Sequence, residues 1–273
     1  MDLNNYLQDI SEISGYLWQR GWAEGNAGNI SFNISEIIDS DRLDVKSLPV
    51  FKLNKKLNSL KGAYIWVTGA GVRMRDLSKD TANLSLIVNI LNNGLSYRVI
   101  KFSDYQGKSG KSVPVLLPDI KPTSELPAHL AIHNYIKENN LKEKIILHTH
   151  PTELIALSQI KGLKSEKIIN NIIWGMHPEN RIVLPGGIGL VPYTLPGSDK
   201  IAGLTIKAFE KHKVVIWEKH GCIAIGENFS TVFDIIDTLT KSVKIFFMCR
   251  SAGYNAEGLS RKQISELCKH FPA

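Results

Sequence analysis

Apolar residues recur at Leu3, Leu7, Ile10, Ile13 and Leu17, the spacing of one face of an amphipathic helix, and Gly21 follows as its stop. A polar turn, Gly25-Asn26-Ala27-Gly28-Asn29, leads into a different period. Ile30, Phe32 and Ile34 alternate with polar residues, which predicts a half-buried strand. From Glu36 to Lys61 the pattern is charged and weakly periodic. It reads as a surface excursion that forms, with the N-terminal helix, a mobile subregion. Tyr64 to Val67 is a short apolar strand running into Thr68-Gly69-Ala70-Gly71, where two glycines permit a tight turn that exposes backbone amides. The β-branched runs Leu84–Ile90 and Leu95–Lys101 flank Asn92-Asn93-Gly94, the strongest short signal for a hairpin.

In the second half, Leu126, Leu130, His133, Tyr135 and Ile136 mark a helix over 125–139 with Ser124 placed to cap it,. Lys144 to His150 then reads as a buried strand. Further helices are predicted over 152–159, 166–173, 199–211, 230–248 and 261–270, and strands near 181–184, 189–192, 214–217 and 222–225,. No internal repeat interrupts this order. The expectation is one α/β domain over residues 1–273, with a central mixed, largely antiparallel sheet covered by helices on both faces.

Composition narrows the function. With 43% hydrophobic and 22% charged residues, the chain has enough apolar surface for a large core. Its net charge of +7 suits an anionic partner such as a phosphorylated metabolite, but the lysines and arginines are scattered in ones and twos. That pattern argues against nucleic acid as a partner. Cys222, Cys249 and Cys268 form no Cys-x-x-Cys pair and are odd in number, so a reducing cytoplasm is the expected location. The first residues lack the basic-then-apolar pattern of a leader, and nowhere do about 18 apolar residues run together, so no membrane association is expected.

Three histidines and a glutamate carry the candidate chemistry. His148 and His150 sit two apart on a predicted strand, so their side chains project from one face and can reach one ion,. His220, between two apolar strands and followed by Gly221, is the leading third ligand,. His129 and His133 compete with it, because positions i and i+4 of a helix also share a face. Glu125 heads the helix after Thr123-Ser124. Beside a metal-bound substrate it would meet the need for a carboxylate base next to a Lewis acid. Asn26, Gly28 and Asn29, together with Gly69, Ala70, Gly71, Thr123 and Ser124, form three short polar turns rich in donors for phosphate oxygens,.

Taken in order, the motifs G-N-x-G-N, V-T-G-x-G, T-S-E-L-P-A-H, H-x-H and H-G resemble the class II sugar-phosphate aldolase family. That family also includes the ribulose-phosphate 4-epimerases and the head domain of adducin. The likeness spans nearly the whole chain and is nearest to a ketose 1-phosphate aldolase. It implies that His148, His150 and His220 bind one Zn²⁺ and that Glu125 is the acid/base. The implied reaction is retro-aldol cleavage to dihydroxyacetone phosphate and lactaldehyde. A sister aldolase or a 4-epimerase is the nearest alternative, and a non-catalytic adducin-like module a more distant one. Glu179, in W-G-M-H-P-E, matches a glutamate that reaches a neighbouring subunit's site in a homotetramer. Ala70 departs from the family pattern, where a serine would donate to phosphate.

Overall fold

A computed structural model describes residues 3–40, 43, 45–101 and 120–271. The chain runs through α1 (Leu3–Gln19), β1 (Asn29–Asn33), β2 (Phe51–Lys52), β3 (Tyr64–Thr68), α2 (Met74–Leu77), β4 (Ser85–Ile90) and β5 (Ser96–Lys101). It continues with α3 (Leu126–Glu138), β6 (Ile145–Thr149), α4 (Thr152–Gln159), α5 (Glu166–Met176), α6 (Glu179–Val183), β7 (Gly189–Val191) and α7 (Asp199–Phe209). The last elements are β8 (Val214–Trp217), β9 (Gly221–Gly226), α8 (Phe229–Ser251) and α9 (Arg261–His270).

The described strands form one nine-stranded sheet in the order β2-β5-β4-β3-β1-β6-β9-β8-β7. Among the described strands only the β7–β8 pairing is parallel, so the sheet is mixed and largely antiparallel. The β4–β5 hairpin closes over Asn92-Asn93-Gly94 as the sequence predicts, with Ile90 opposite Tyr97. Gly94 takes φ +66° there, and a β-carbon on it would lie 2.9 Å from the Leu57 carbonyl oxygen.

Alternation along each strand sends side chains to two apolar layers. On one face Ile30, Phe32, Leu147 and Ile216 pack against Ile10 and Leu17 of α1, Leu154 of α4, Ile173 of α5 and Ile236 of α8. On the other, Val67 and Leu86 meet Leu126 and Leu130 of α3. Ile146, Trp217 and Ile223 meet Ile132 and Ile136 of α3 together with Ile201 and Phe209 of α7. Helices therefore cover both faces. No helix among the described residues is long and apolar enough to cross a membrane.

Four local expectations are corrected. Residues 181–184 are not a strand, because Arg181–Val183 belong to helix α6, which starts after Pro178 and is tied down by Asn180. Ser124 does not cap α3: the N-cap position is Glu125, without a side-chain cap bond, and proline occupies the first turn. Strand β1 is buried on both faces rather than one, since Asn29 and Ser31 are as enclosed as Ile30 and Phe32. The 36–61 stretch is more than an excursion. It carries the edge strand β2, paired to β5, and it buries Leu57 and Leu60 in the core beneath β3 and β4.

Candidate active site

Strand β6 sits in mid-sheet between β1 and β9, and its C-terminal end collects the histidines. His148 is 1% exposed and places Nδ1 2.9 Å from the carbonyl oxygen of Cys222. A carbonyl only accepts, so Nδ1 carries the proton and Nε2 presents a lone pair. His150, one residue past the strand, places Nδ1 2.9 Å from Glu24 Oε1, which leaves its Nε2 as the lone pair by the same reasoning. The two Nε2 atoms are 3.1 Å apart. Lone pairs aimed at each other repel, but both suit a cation that they can reach together.

His220 arrives from the turn between β8 and β9. That turn is closed by His220 N–H donating to the Trp217 carbonyl at 3.0 Å, with Lys219 in the left-handed region at φ +64°. The Lys219 amide donates to Ser158 Oγ at 2.8 Å, which pins the turn to α4. The three imidazoles pack edge to face, with centroid separations of 4.9, 4.9 and 5.0 Å. Trp217 lies against His148 and His220 at 4.7 and 5.3 Å. One ligand atom from each histidine falls within 4.8 Å of the others, and this is the only such metal-competent group among the described residues.

Electrostatics point the same way. Burial, reinforced by the imidazoles of His150 and His220, pushes His148 well below the usual histidine range, against a small opposing effect of the Cys222 carbonyl. Burial also lowers His220, with Glu125 pulling upward, His150 downward and Glu24 upward. Neutral imidazoles are the form that binds a metal. The donor set, three imidazole nitrogens with two of them oriented by bonds from the opposite ring nitrogen, fits a divalent ion such as zinc.

Glu125 stands over this group. It is 6% exposed, with Oε2 3.5 Å from His148 Nε2 and Oε1 3.6 Å from His220 Nε2. Asn29 Nδ2 donates to Oε2 at 3.0 Å. His129 and His133, the competing pair, face away from the cluster. Their ring nitrogens meet Ser31 Oγ at 2.6 and 2.9 Å, and His129 Nε2 also bonds Asn29 Oδ1.

The three polar turns adjoin this end of the sheet. Gly28, at φ +80°, lies so near β6 that a β-carbon would be 3.0 Å from the His148 carbonyl oxygen. Thr68 Oγ1 accepts from Ile30 N–H at 3.3 Å, and Thr123 N–H donates to the Thr68 carbonyl at 3.2 Å. Gly69 forms an isolated bridge with Pro122. Within the turns the Gly69 amide donates to the Leu84 carbonyl and the Ala70 amide to the Lys121 carbonyl. Both Asn29 side-chain atoms are likewise engaged. Gly71 has no backbone partner among the described residues, and Asn26 and Ser124 are exposed. Glu179 is exposed at the start of α6 and has no ion-pair or hydrogen-bond partner among the described residues.

Glu24, Ser31 and Trp217 also belong to the site, though they are not among the residues that the sequence singles out. Ser31 had a visible signal, since it lies two residues from Asn29 on one strand face,. Glu24 and Trp217 had none.

A profile of the class II aldolase and adducin N-terminal domain matches residues 8–247. The chain belongs to the class II aldolase and adducin family. It is 36% identical to the rhamnulose-1-phosphate aldolase of Bacteroides thetaiotaomicron over 266 residues, covering 97% of this chain and 93% of that protein. To the rhamnulose-1-phosphate aldolase of Yersinia pestis it is 29% identical over 269 residues, with the same coverage of 97% and 93%. Among solved structures it is similar to a sugar-phosphate aldolase from Thermotoga maritima, with a TM-score of 0.76, 30% identity, and 93% of this chain and 98% of that one covered.

Proposed function

We propose that the protein is a zinc-dependent aldolase that cleaves L-rhamnulose 1-phosphate to dihydroxyacetone phosphate and L-lactaldehyde. The observation that carries this reading is the Glu125 carboxylate held 3.5 and 3.6 Å from the Nε2 atoms of His148 and His220, in a chain similar over nearly its whole length to rhamnulose-1-phosphate aldolases.

His148, His150 and His220 would hold the metal, which when bound supplies a Lewis acid that stabilises negative charge developing on the ketose oxygens. Glu125 moves the carbon-bound proton. As the carbon–carbon bond breaks, the hydroxyl of the departing half loses its proton and becomes the aldehyde carbonyl, the bonding pair passes into the dihydroxyacetone phosphate half, and a proton delivered by Glu125 to the released carbon completes that product. Asn29 orients Glu125 by donating to Oε2, the oxygen that also faces His148. Gly71, Ser124, Asn26 and Gly28, with the hydroxyl of Thr123, supply the donors for the phosphate, with the Gly71 amide serving where Ala70 offers no hydroxyl. Glu179 assists the aldehyde-side proton from a neighbouring subunit of a homotetramer. The whole chain acts as one catalytic domain in the cytoplasm.

A coupled assay for dihydroxyacetone phosphate, run with rhamnulose 1-phosphate, fuculose 1-phosphate and ribulose 5-phosphate, tests the substrate. Release from the first alone is expected. Release only from fuculose 1-phosphate, or 4-epimerisation of ribulose 5-phosphate without release, reassigns the enzyme.

A further inference from the structure

Behind Glu125, on the face of the sheet that α3 covers, lies a chain of buried polar side chains that no apolar packing requires. Asn29 and Ser31 project from β1, and His129 and His133 from α3. Exposures are 7% for Asn29, 0% for Ser31, 0% for His129 and 1% for His133. Four polar groups in a dry layer are costly unless each is satisfied, and here they satisfy one another.

The direction of every bond follows from the donors available. As a carboxylate Glu125 only accepts, so the Asn29 amide must turn its NH₂ to Oε2, the 3.0 Å contact. The Asn29 carbonyl then faces His129 Nε2 and can only accept, which places the proton of His129 on Nε2. His129 Nδ1 is thereby an acceptor, so the Ser31 hydroxyl donates to it across 2.6 Å. The remaining Ser31 lone pair accepts from His133 Nε2–H at 2.9 Å. Burial lowers His129 to about 4, with Glu125 pulling upward and His148 downward, and lowers His133 to about 3, helped by His129. Both rings are therefore neutral at pH 7, each with one proton to place.

We propose, on the reading that Glu125 carries the substrate proton, that His133, Ser31 and His129 are positioning residues that fix the Asn29 amide with its NH₂ toward Glu125. If the amide turned over, its carbonyl would face the carboxylate, and two acceptors would repel where a bond now holds. A carboxylate without that bond samples several orientations, and proton transfer loses rate through misplacement. Ser31, His129 and His133 bond only one another and the Asn29 amide, not the metal ligands' donor atoms, so they act on turnover and leave binding alone.

Neutron diffraction from the zinc-loaded, full-length protein tests the directionality. Deuterium is expected on Nε2 of both His129 and His133, on Ser31 Oγ pointing to His129 Nδ1, and on the Asn29 nitrogen facing Glu125. Deuterium on His129 Nδ1 in place of Nε2 reverses the chain and overturns the proposal. This result stands whatever substrate the enzyme takes, so a failed aldolase assay and a failed relay are separate outcomes. With the substrate that the wild type cleaves, Ser31→Ala and His129→Leu are expected to lower kcat by roughly tenfold to a hundredfold, with KM and zinc content unchanged. Ser31→Thr, which keeps the hydroxyl, should recover most of the loss. Unchanged kcat in Ser31→Ala, or a loss that appears in KM or zinc content with kcat retained, overturns the role.

Discussion

Gly221 and Thr149 approach so closely that a β-carbon on Gly221 would lie 2.5 Å from the Thr149 carbonyl oxygen and 2.8 Å from His150 Cδ2. The pairing of β9 with β6 puts Cys222 opposite Thr149, and only a residue without a side chain lets the next turn fold back over the strand end. This contact sets where His220 meets His148 and His150. Gly221→Ala must push back either the strand or the His150 ring. The expected result is a destabilisation of about 1–3 kcal/mol from overpacking, together with weaker zinc binding. Thermal unfolding and metal titration measure the two. Wild-type zinc affinity in this variant would mean that the approach does not shape the site.

The ligand assignment predicts about one zinc per chain in the purified protein. His148→Ala and His220→Ala should lose it, whereas His129→Ala should keep it, because His129 is engaged with Ser31 and Asn29. Elemental analysis of the three variants decides. Chelation should abolish activity, and added zinc should restore it. The opposite pattern, metal kept in the first two and lost in the third, would return the site to the α3 pair.

That contest shows what was legible in the sequence. Spacing made His148 and His150 a pair, and left His129 and His133 on α3 as a competing one. The strand period offered Asn29 and Ser31 as a polar face but could not reveal that α3 lies against it. A polar strand face reads as solvent-exposed unless its partner helix also turns polar groups inward. Here His129 and His133 do so, and the two periodicities explain each other only once the layers are stacked. The helix at Glu179–Val183 failed for a different reason. Arg181-Ile182-Val183-Leu184 is a short apolar run, which suits strand and helix alike, and what selects the helix is the long-range anchoring of Asn180 to the Thr238 carbonyl and Ser242 Oγ. The hairpin at Asn93-Gly94 and the long helices were legible because their signals are local.

Stability should fall as the medium becomes acidic. Burial holds His129 near pKa 4 and His133 near 3, both below the ordinary 6.5 of the unfolded chain. As pH drops below about 6.5 the unfolded state takes up protons that the folded state refuses, so the stability these rings contribute is complete above that pH. It is lost on the way down to their folded values, at about 1.4 kcal/mol per pH unit for each ring in that window. Denaturant titrations between pH 7 and 4.5 should show the decline. A His129→Leu, His133→Leu double variant should show a shallower one, and an equal slope would remove these histidines from the acid response.

Glu125→Gln is expected to keep the fold and the zinc while losing about 10² to 10⁴ in turnover, the usual contribution of a general acid/base. Exchange of the carbon-bound proton of dihydroxyacetone phosphate with solvent isolates the half-reaction assigned to Glu125, and it should disappear in parallel. Near-normal turnover, or exchange that survives the substitution, would move the proton to another group.

Glu179 is exposed at the start of α6 and without a partner among the described residues. Its neighbour Asn180 is buried and bonded into α8, so the backbone that presents Glu179 is fixed even though the carboxylate is free. A fixed backbone carrying an unpaired charge outward is suited to meet another subunit, and a symmetric oligomer repeats the contact at every boundary. If each active site takes Glu125 from one chain and Glu179 from the next, Glu125→Gln and Glu179→Ala chains are each inactive in homogeneous assemblies. Dissociated together and reassembled, they should regain part of the activity, because some boundaries then join an intact Glu125 to an intact Glu179. Sedimentation must confirm mixed tetramers before the assay is read. Mixed tetramers as inactive as their parents would end the shared-site reading and leave Glu179 as a solvated charge on α6.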